Sequence, residues 1–252
     1  MPEVLTDSDA PPVVSIVVPV RNEADNVGPL IAEIAAALDG RWAYEIVYVD
    51  DGSTDATPQR LAALRRERAN LRQIRHAKSC GQSAAVRTGV RAARGAIVAT
   101  LDGDGQNNPA FIPELIQALE RGGDRFGLAA GQRVGRKDTG FKKVQSRVAN
   151  KVRDAILRDG TRDSGCGLKA FRRDVFLALP YFDGLHRFLP ALVRREGYDI
   201  VYVDVADRPR LSGVSNYGFF DRLWVGLMDL AGVWWLIRRK KAVPVATEVN
   251  EC

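Results

Sequence analysis

The sequence predicts an α/β protein with a doubly wound, mostly parallel sheet, and three features support this fold class. Apolar runs alternate with amphipathic segments of helical spacing from Val13 to Gly131. The first run, 13–20, is apolar at almost every position, as expected of a strand buried on both faces of a parallel sheet. Polar, glycine-containing turns separate the segments. Strands that alternate with helices in this way are typical of doubly wound sheets.

The elements are predicted in a regular order. Helical spacing of apolar residues at 27–38, ended by Gly40, follows the first strand. Thr54 or Asp55 is the expected N-cap of the second helix, and Pro109 suits the first turn of the fourth. Further strands are predicted at 44–50, 71–75, 96–101 and 127–131, and further helices at 55–68, 83–94 and 108–119.

Beyond Arg133 this alternation ends. A basic segment at 137–158 precedes a glycine-containing turn at 163–167, and no repeat or interdomain linker is visible. The N-terminal residues have neither the basic start nor the apolar stretch of a signal peptide. The predicted division is a disordered lead-in at 1–12, one α/β domain at 13–216, an amphipathic helix at 217–241 and a flexible tail at 242–252.

The segment 217–241 combines aromatic residues, an apolar body and a basic end. Asp221, Arg222 and Asp229 interrupt it, and its apolar run at 230–237 is far shorter than the roughly 20 residues of a membrane span. A helix lying in the membrane interface, with tryptophans at headgroup depth and cations near anionic lipid, fits better. The alternative is a helix packed on the protein's own core or on a second copy.

Composition narrows the partners only slightly. The net charge of +6 and the pI near 9.4 allow phosphorylated substrates, anionic membranes and nucleic acid. Cys80, Cys166 and Cys252 form no CxxC pair, and their odd number fits a reducing compartment better than a disulfide scaffold. The cysteines therefore indicate neither a zinc site nor a disulfide framework.

Two acidic clusters, at 50–53 and 102–106, each follow a predicted strand. Strand exits are where α/β sheets bind ligands, so both clusters should lie at one edge of the sheet. Clustered carboxylates repel each other unless a cation or ligand donors lie between them. We therefore predict a divalent metal carrying phosphate. Without such a metal the same clusters would repel a phosphate backbone, so no nucleic-acid partner is expected.

The absence of two motifs argues against two enzyme classes. The loop at 19–23 lacks the GxGxxG of dinucleotide-binding oxidoreductases, and the chain contains no GxxxxGK[ST] of P-loop enzymes. Glu23 and the main chain of this loop can hold a nucleoside, or the loop can cap the following helix. His76 and His186 do not indicate a catalytic pair or a metal site. His76 is expected in a polar loop, and His186 to cap a helix or to contact a phosphate.

Seven motifs together carry a resemblance to a known family. They lie at 17–23, 49–55, 81–85, 102–106, 163–167, 186–190 and 210–217. From Val14 to about Tyr217 the sequence resembles the family 2 glycosyltransferases of GT-A fold. Within them it is similar to the dolichol-phosphate mannosyltransferase-like enzymes, which load a sugar onto a polyprenyl phosphate; the last two motifs mark this subgroup.

The resemblance implies a nucleotide-sugar site at the predicted sheet edge. The base and ribose pocket would be lined by Pro19, Arg21, Glu23, Val49 and Asp51, and the rest of the donor would be met by Asp102, Gly103, Asp104, Gln106, Arg133, Arg210 and Asn216. Asp102, Asp104 and Gln106 are the implied metal ligands. Because these are hard oxygen ligands, Mg²⁺ or Mn²⁺ is the implied cofactor.

The acceptor implied by the resemblance is a polyprenyl phosphate, whose anionic oxygen needs little deprotonation. Cations must then bring two anions together, and Arg210 is implied at the donor and acceptor phosphates. Lys142 and Ser146 are implied at the acceptor phosphate. Asp104, Arg210 and Asp163 are the expected catalytic residues. Asp163 would orient the acceptor or the sugar rather than act as a base, or it forms an Asx-turn at the glycine-rich bend.

Two positions depart from the family pattern. Asn216 stands where a lysine is common, which removes one cation from the expected phosphate cluster. Gly103 stands where alanine is usual, which is expected to change little except backbone freedom. The first departure weakens a close match to the mannosyltransferases themselves.

The expected function is a metal-dependent, inverting glycosyltransferase, peripheral on the cytoplasmic face of the cell membrane, with GDP-mannose as the preferred donor. A UDP-hexose or UDP-hexuronic acid is the close alternative donor. A family 2 transferase with a sugar hydroxyl acceptor would instead need Asp163 as a base. The alternative of another class is a non-catalytic module that binds anionic lipid or nucleic acid.

Overall fold

The computed structural model describes residues 12–134, 153–206, 208 and 219–240, with side chains of the last stretch from residue 226. The strands are β1 (Val14–Val20), β2 (Tyr44–Asp50), β3 (Leu71–Arg75), β4 (Ile97–Thr100), β5 (Phe126–Val134), β6 (Lys169–Arg172) and β7 (Asp199–Ala206). The helices are α1 (Ala24–Leu38), α2 (Thr57–Glu67), α3 (Gln82–Ala92), α4 (Ile112–Arg121), α5 (Arg173–Ala178), α6 (Leu185–Arg195) and α7 (Phe219–Arg239). Residues 153–157 form a further short helical stretch.

The strands form one seven-stranded sheet in the order β3-β2-β1-β4-β6-β5-β7. Neighbouring strands are parallel except at β6, which runs antiparallel to β4 and to β5. The predicted doubly wound, mostly parallel sheet is therefore confirmed. Because β1 lies between β2 and β4, the chain winds away from β1 in both directions. Such sheets bind ligands at the carboxyl ends of the strands around this switch point.

Several predicted bounds are corrected by local hydrogen bonds. The second helix begins at Thr57 rather than at 55, because the carboxylate of Asp55, two residues before it, accepts the Thr57 N–H (2.9 Å). The helix predicted at 108–119 begins as a 3-10 turn, in which Asn108 Oδ1 accepts the Ala110 N–H (3.1 Å). It becomes α-helical only from Ile112.

Three elements of the second half, β6, α5 and β7, were not predicted, and α6 was anticipated only as the helix that His186 was expected to cap. β6 has only four residues and both begins and ends with a basic residue, Lys169 and Arg172, so neither length nor alternation marks it as a strand. Its place between β4 and β5 depends on pairing across the sheet, which local sequence does not encode. The predicted division into lead-in, domain, helix and tail stays a prediction.

Each face of the sheet is covered by helices and has its own core. Alternate residues of β1 enter the two cores, as the period of a strand requires. Ile16 and Val18 pack with α1, α2 and α4, whereas Val17 packs with α3, α5 and α6 on the other face. All three side chains are completely buried. This two-sided burial explains the nearly continuous apolar character of the central strands.

One face of α7 packs on the second core. Val233 is 1 % exposed, and Leu230, Leu236 and Ile237 are partly buried beside it. Arg195 Nε of α6 also donates to the Leu236 carbonyl oxygen (3.1 Å). This face of α7 therefore packs on the protein itself, as the alternative prediction for the segment 217–241 states. Among the described residues, no helix combines the length and the apolar character needed to cross a membrane.

Candidate active site

The loops that leave β1 and β2 at the carboxyl edge bind each other. Asn22 N–H donates to Ser53 Oγ (3.0 Å), and Thr54 N–H donates to Asn22 Oδ1 (2.9 Å). Glu23 N–H donates to Thr57 Oγ1 (2.9 Å). The start of α1 is thus held by residues of the neighbouring loop, and the Glu23 side chain makes no capping bond.

Asp51 holds the loop that connects β3 to α3. Its Oδ1 accepts from His76 Nδ1 (2.7 Å) and Cys80 N–H (2.8 Å), and its Oδ2 accepts from Ser79 Oγ (2.7 Å) and Gly81 N–H (2.9 Å). Burial raises the pKa of Asp51, but these donors outweigh it and hold the pKa below its usual value. Asp51 therefore stays ionised and shapes the wall of the site. A direct contact with the base stays a prediction.

The backbone of the second acidic cluster lies directly against β1. A Cβ on Gly103 would lie 2.3 Å from Val20 Cγ1 and 2.9 Å from the Pro19 carbonyl oxygen. An alanine at this position would therefore require the backbone or Val20 to shift. The expectation that Gly103 matters little beyond backbone freedom is corrected, because the glycine permits this close approach at the switch point.

Asp102 and Asp104 form the centre of the site, just beyond the end of β4. Asp102 Oδ1 accepts from Gln82 Nε2 (2.7 Å), and Asp104 Oδ1 accepts the Gln106 N–H (3.1 Å). Burial, followed by the negative charge of Asp104, raises the pKa of Asp102 to about 6. The pair is thus electrostatically strained in the way that a bound cation relieves.

A buried lysine that sequence reasoning missed lies close to Asp102. Lys169 on β6 is 4 % exposed and donates to the Cys166 carbonyl oxygen. Burial lowers its pKa, whereas the charges of Asp102 and Asp163 act in the opposite direction. A lysine at the start of an apolar run was the available signal. It could be placed beside Asp102 only after β6 was known to pair with β4.

Arg133 and Asp163 form a two-pronged ion pair beside this centre. Arg133 Nε and Nη2 donate to the two Asp163 oxygens at 2.6 and 3.0 Å. The side chains are only 14 % and 13 % exposed. Asp163 therefore holds a guanidinium in place. Its Oδ1 also accepts the Gly165 N–H (3.1 Å), so the predicted Asx-turn is present as well.

The glycines of the turn at 163–167 allow this crowding. A Cβ on Gly167 would lie 2.4 Å from Asp102 Oδ2, and one on Gly165 would lie 3.0 Å from Arg133 Nη2. Any larger residue at 167 would displace the Asp102 carboxylate. The glycine-broken turn is therefore required by the packing of the site itself.

Arg208 ties the metal-motif loop to α1. Its guanidinium makes two bonds to the Glu33 carboxylate (2.9 and 2.7 Å), and it donates to the carbonyl oxygens of Gly105 (3.2 Å) and Asn107 (3.3 Å). Its own N–H donates to the Gln106 carbonyl oxygen (3.1 Å). Arg208 was missed because no local pattern links it to a loop about a hundred residues earlier.

His186 lies at the start of α6 and is neutral. Burial, together with Arg187 and Lys169, lowers its pKa to about 3. Ser83 Oγ accepts the Gly184 N–H (3.0 Å) and is hydrogen-bonded to His186 Nδ1 (2.7 Å), with the donor set by the tautomer of the imidazole. The predicted contact of His186 with a phosphate stays a prediction. His76 and His186 have separate side-chain partners, Asp51 and Ser83.

The remaining predicted residues divide into three groups. Pro19, Arg21 and Glu23 lie at the carboxyl edge and are at least partly exposed. Val49 is completely buried in the second core of this structure, and its predicted place in the pocket wall stays a prediction. Lys142, Ser146, Arg210 and Asn216 lie outside the described residues.

The residues present fit a divalent metal. Asp102 and Asp104 offer carboxylate oxygens, Gln106 offers an amide oxygen, and hard oxygen donors suit Mg²⁺ and Mn²⁺. The like-charge repulsion between the two carboxylates, visible in the raised pKa of Asp102, is the independent sign of such a fit. The buried cations beside them compensate only part of this negative charge.

A nucleotide-sugar transferase of GT-A fold is the class that this sheet and site define. The sequence matches the model of glycosyl transferase family 2 over residues 15–179, and the chain belongs to that family. It is 38% identical over 233 residues to the dodecaprenyl-phosphate galacturonate synthase of Rhizobium johnstonii, covering 90% of this chain and 68% of that protein. It is 33% identical over 207 residues to the undecaprenyl-phosphate 4-deoxy-4-formamido-L-arabinose transferase of Edwardsiella ictaluri, covering 81% and 63%. The chain thus spans about two thirds of these relatives.

Solved structures share the fold. Glucosyl-3-phosphoglycerate synthase from Mycobacterium tuberculosis, in complex with Mg²⁺ and UDP, superposes with a TM-score of 0.67 at 20% identity, covering 90% of this chain and 79% of that one. The mannosyltransferase PcManGT from Pyrobaculum calidifontis, in complex with GDP-Man and Mn²⁺, gives 0.65 at 22% identity, covering 94% and 67%. At these identities the likeness concerns the fold alone.

Proposed function

We propose that this protein is an inverting glycosyltransferase that moves a sugar from a UDP-sugar to a polyprenyl phosphate at a membrane surface. The observation that carries the proposal is the strained Asp102–Asp104 pair at the switch point, flanked by Lys169 and Arg133. The polyprenyl phosphate acceptor is supported by the names of the two curated relatives, both of which act on such lipids.

The proposed donor differs from the one preferred from sequence. Neither relative is named for mannose, and the sugars in their names favour the UDP-sugar alternative over GDP-mannose. The relative at 38% identity is named for galacturonate. A UDP-hexuronic acid, already the alternative donor from sequence, is therefore the first donor to test.

Within this proposal, Asp102, Asp104 and Gln106 would hold Mg²⁺ or Mn²⁺. The metal would supply neutralisation of the charge that builds up on the departing nucleoside diphosphate. Arg133, fixed by Asp163, would bind donor or acceptor phosphate oxygens with its guanidinium. Lys169 would lower the negative potential behind Asp102 without reaching solvent.

The proposed acceptor is already a nucleophile. Its phosphate oxygen is anionic at neutral pH, so the enzyme has to orient it opposite the leaving diphosphate rather than deprotonate it. Such attack inverts the configuration at the anomeric carbon. The engagement of both Asp163 oxygens by Arg133 supports an orienting role for Asp163 over a role as base.

A membrane surface is the proposed location of the acceptor. The face of α7 that turns away from the core exposes Leu227, Met228, Trp234 and Trp235 by 39–58 %. Arg238 lies over the Trp234 ring at 4.4 Å from the centroid. Aromatic rings next to cations are typical of helices that lie in the headgroup region. This supports a peripheral protein on the inner face of the cell membrane.

The proposal is tested by measuring product formation with undecaprenyl phosphate and a panel of donors. UDP-galacturonic acid, UDP-glucose and GDP-mannose are compared with and without Mn²⁺ or Mg²⁺. A UDP-sugar is expected to exceed GDP-mannose by at least about a hundredfold in kcat/KM, since a site built for one base leaves polar groups unpaired with another. Asp104→Ala is the inactive control. Preference for GDP-mannose would reject the donor, and transfer to no lipid phosphate would reject the function.

Replacing Asp163 with asparagine is expected to lower kcat by only about tenfold. Asparagine still accepts one bond from Arg133, and a phosphate acceptor needs no base. A sugar hydroxyl acceptor would require general-base catalysis, whose loss costs about 10²–10⁴-fold. The measurement is kcat as a function of pH for the wild type and for Asp163→Asn. A loss of three orders of magnitude, or the disappearance of an ionisation from the profile, would favour the hydroxyl acceptor.

A further inference from the structure

A groove of about 520 Å³ lies between α6, α7 and the helical residues 153–157. Its apolar lining comes from Ala155, Ile156, Leu157, Ala191, Trp234 and Ile237. Ile156 and Trp234 are each 39 % exposed, so the apolar surface opens to solvent. An open apolar groove on the side of a domain is suited to a ligand with an aliphatic part.

The polar lining of this groove consists of Arg158, Arg194, Arg195 and Arg238, without any acidic residue. Arg195 pairs with Glu196. For the other three, no carboxylate of the described residues lies within ion-pair distance. Guanidinium groups gathered without counter-charges repel each other, and an anion placed among them would relieve this repulsion. Their planar donor geometry matches the oxygens of a phosphate.

The arginines are held in place by backbone structure. Arg158 adopts a left-handed conformation with φ of 52°, which is unfavourable for a residue with a side chain. Its carbonyl oxygen accepts from Arg194 Nη1 (2.7 Å), and Gly160 N–H donates to Asp154 Oδ1 (2.8 Å) just beyond it. Two of the four cations thus belong to one bonded unit at the rim of the groove.

The groove is distinct from the candidate active site. α6 begins near the carboxyl edge, where Gly184 and His186 contact Ser83, and it ends before β7, which starts at the opposite edge. The eleven residues of α6 span about 16 Å. Arg194 and Arg195 lie at its last turn. An anion bound beside them is therefore about one helix length from Asp102 and its neighbours.

From these contacts we infer that the groove binds the phosphate headgroup of an anionic membrane phospholipid, with the start of its acyl chain against Trp234 and Ile237. The exposed Trp235 and Met228 continue the apolar surface along α7. Bound lipid would fix α7 and the adjoining surface at the membrane. This inference extends the proposed membrane location, but it does not depend on the identity of donor or acceptor.

The test compares vesicle binding of the wild type with that of Arg158→Gln/Arg194→Gln/Arg238→Gln. Vesicles of phosphatidylcholine containing about one third phosphatidylglycerol are used, with pure phosphatidylcholine as reference. Each cation near an anionic surface contributes about fivefold, so the groove variant should bind about a hundredfold more weakly. The control, Arg41→Ala/Arg65→Ala/Arg66→Ala, removes the same charge from exposed positions on the α1–α2 side. It should change binding by less than about threefold.

The outcomes separate the possible ligands. An equal loss of vesicle binding in both variants would indicate diffuse charge attraction, and it would overturn the inference that the groove binds lipid. Thermal stabilisation of the wild type by inorganic phosphate alone, lost in the groove variant, would identify a soluble anion instead of a lipid. Transfer to a detergent-solubilised polyprenyl phosphate should be unchanged in the groove variant. If that activity were lost with the fold intact, the groove would hold the acceptor and the inference would be wrong; absence of transfer in the wild type concerns the proposed function only.

Discussion

Replacing Asp102 with asparagine is expected to abolish sugar transfer and, at neutral pH without metal, to raise the melting temperature. Burial and the neighbouring Asp104 carboxylate raise the pKa of Asp102 to about 6, so its ionised form is unfavourable in the folded state. For a fully buried group this shift corresponds to about 3 kcal/mol, which partial solvent exposure reduces to about 1–2 kcal/mol. The amide removes this cost, and the melting temperature should rise by about 2–8 °C.

The pH dependence of this stability difference has a definite sign. A carboxyl group with a raised pKa in the folded state stabilises the protein below its unfolded pKa, and this contribution is lost as pH rises from about 4 to about 6. Asp102→Asn does not lose stability in this way. Its gain in stability over the wild type should therefore be small near pH 4 and nearly complete above about pH 6.

Activity is expected to change in the opposite direction. Residues that merely orient metal ligands contribute about 10–100-fold, so loss of a ligand should lower kcat/KM by more than about a hundredfold. Mn²⁺ should raise the melting temperature of the wild type above pH 6 and leave that of Asp102→Asn nearly unchanged. Asp124→Asn, at a fully exposed carboxylate, is the control and should alter neither property. A less stable, fully active Asp102→Asn variant would contradict the assignment of Asp102.

The prediction of the fold from sequence succeeded where strands are buried on both faces. β2 was predicted with its observed bounds because every residue from Tyr44 to Asp50 is buried and the following turn is polar. β6 and β7 were not predicted. β6 lies between β4 and β5, and β7 lies at the sheet edge beside β5, so pairing with strands that are distant in sequence places both. Six of the eight residues of β7 are of intermediate or full exposure, which weakens its apolar pattern.

The candidate site could be predicted only as far as it is local in sequence. Asp102 and Asp104 were found because they follow a strand directly, as ligand-binding residues of α/β sheets do. Lys169 and Arg208 were not found, because their places depend on the β4–β6 pairing and on a contact with α1. The complete burial of Val49 was not predicted, because a position in a family motif says nothing about how deeply a residue is covered.

Breaking the ion pair between Arg153 and Asp159 is expected to cost about 3–5 kcal/mol in the free energy of unfolding. Arg153 Nη1 and Nη2 donate to the two Asp159 oxygens at 3.1 and 2.6 Å. The side chains are 9 % and 0 % exposed. Asp159 Oδ1 also accepts the Thr161 N–H (3.0 Å), so the pair shapes the turn that leads to Asp163. Removing either partner leaves an uncompensated charge in the interior.

The cost should arise from the lone charge rather than from the lost bonds. Arg153→Met and Asp159→Asn are each expected to destabilise strongly, whereas the double variant should be less destabilised than either single one. Asparagine retains an oxygen for the Thr161 N–H, so the turn keeps its acceptor. Urea unfolding of the four proteins, with unchanged m-values, gives the coupling energy directly.

The Arg162–Asp204 pair provides the matched control for this argument. Its N–O distance is also 2.6 Å, but its side chains are 69 % and 56 % exposed. Asp204→Asn should therefore cost less than about 1 kcal/mol, because water compensates an exposed charge that has lost its partner. Equal costs at the two sites would show that burial is not the deciding variable. A double variant less stable than both single ones would show that the Arg153–Asp159 attraction itself exceeds its desolvation cost, contrary to this expectation.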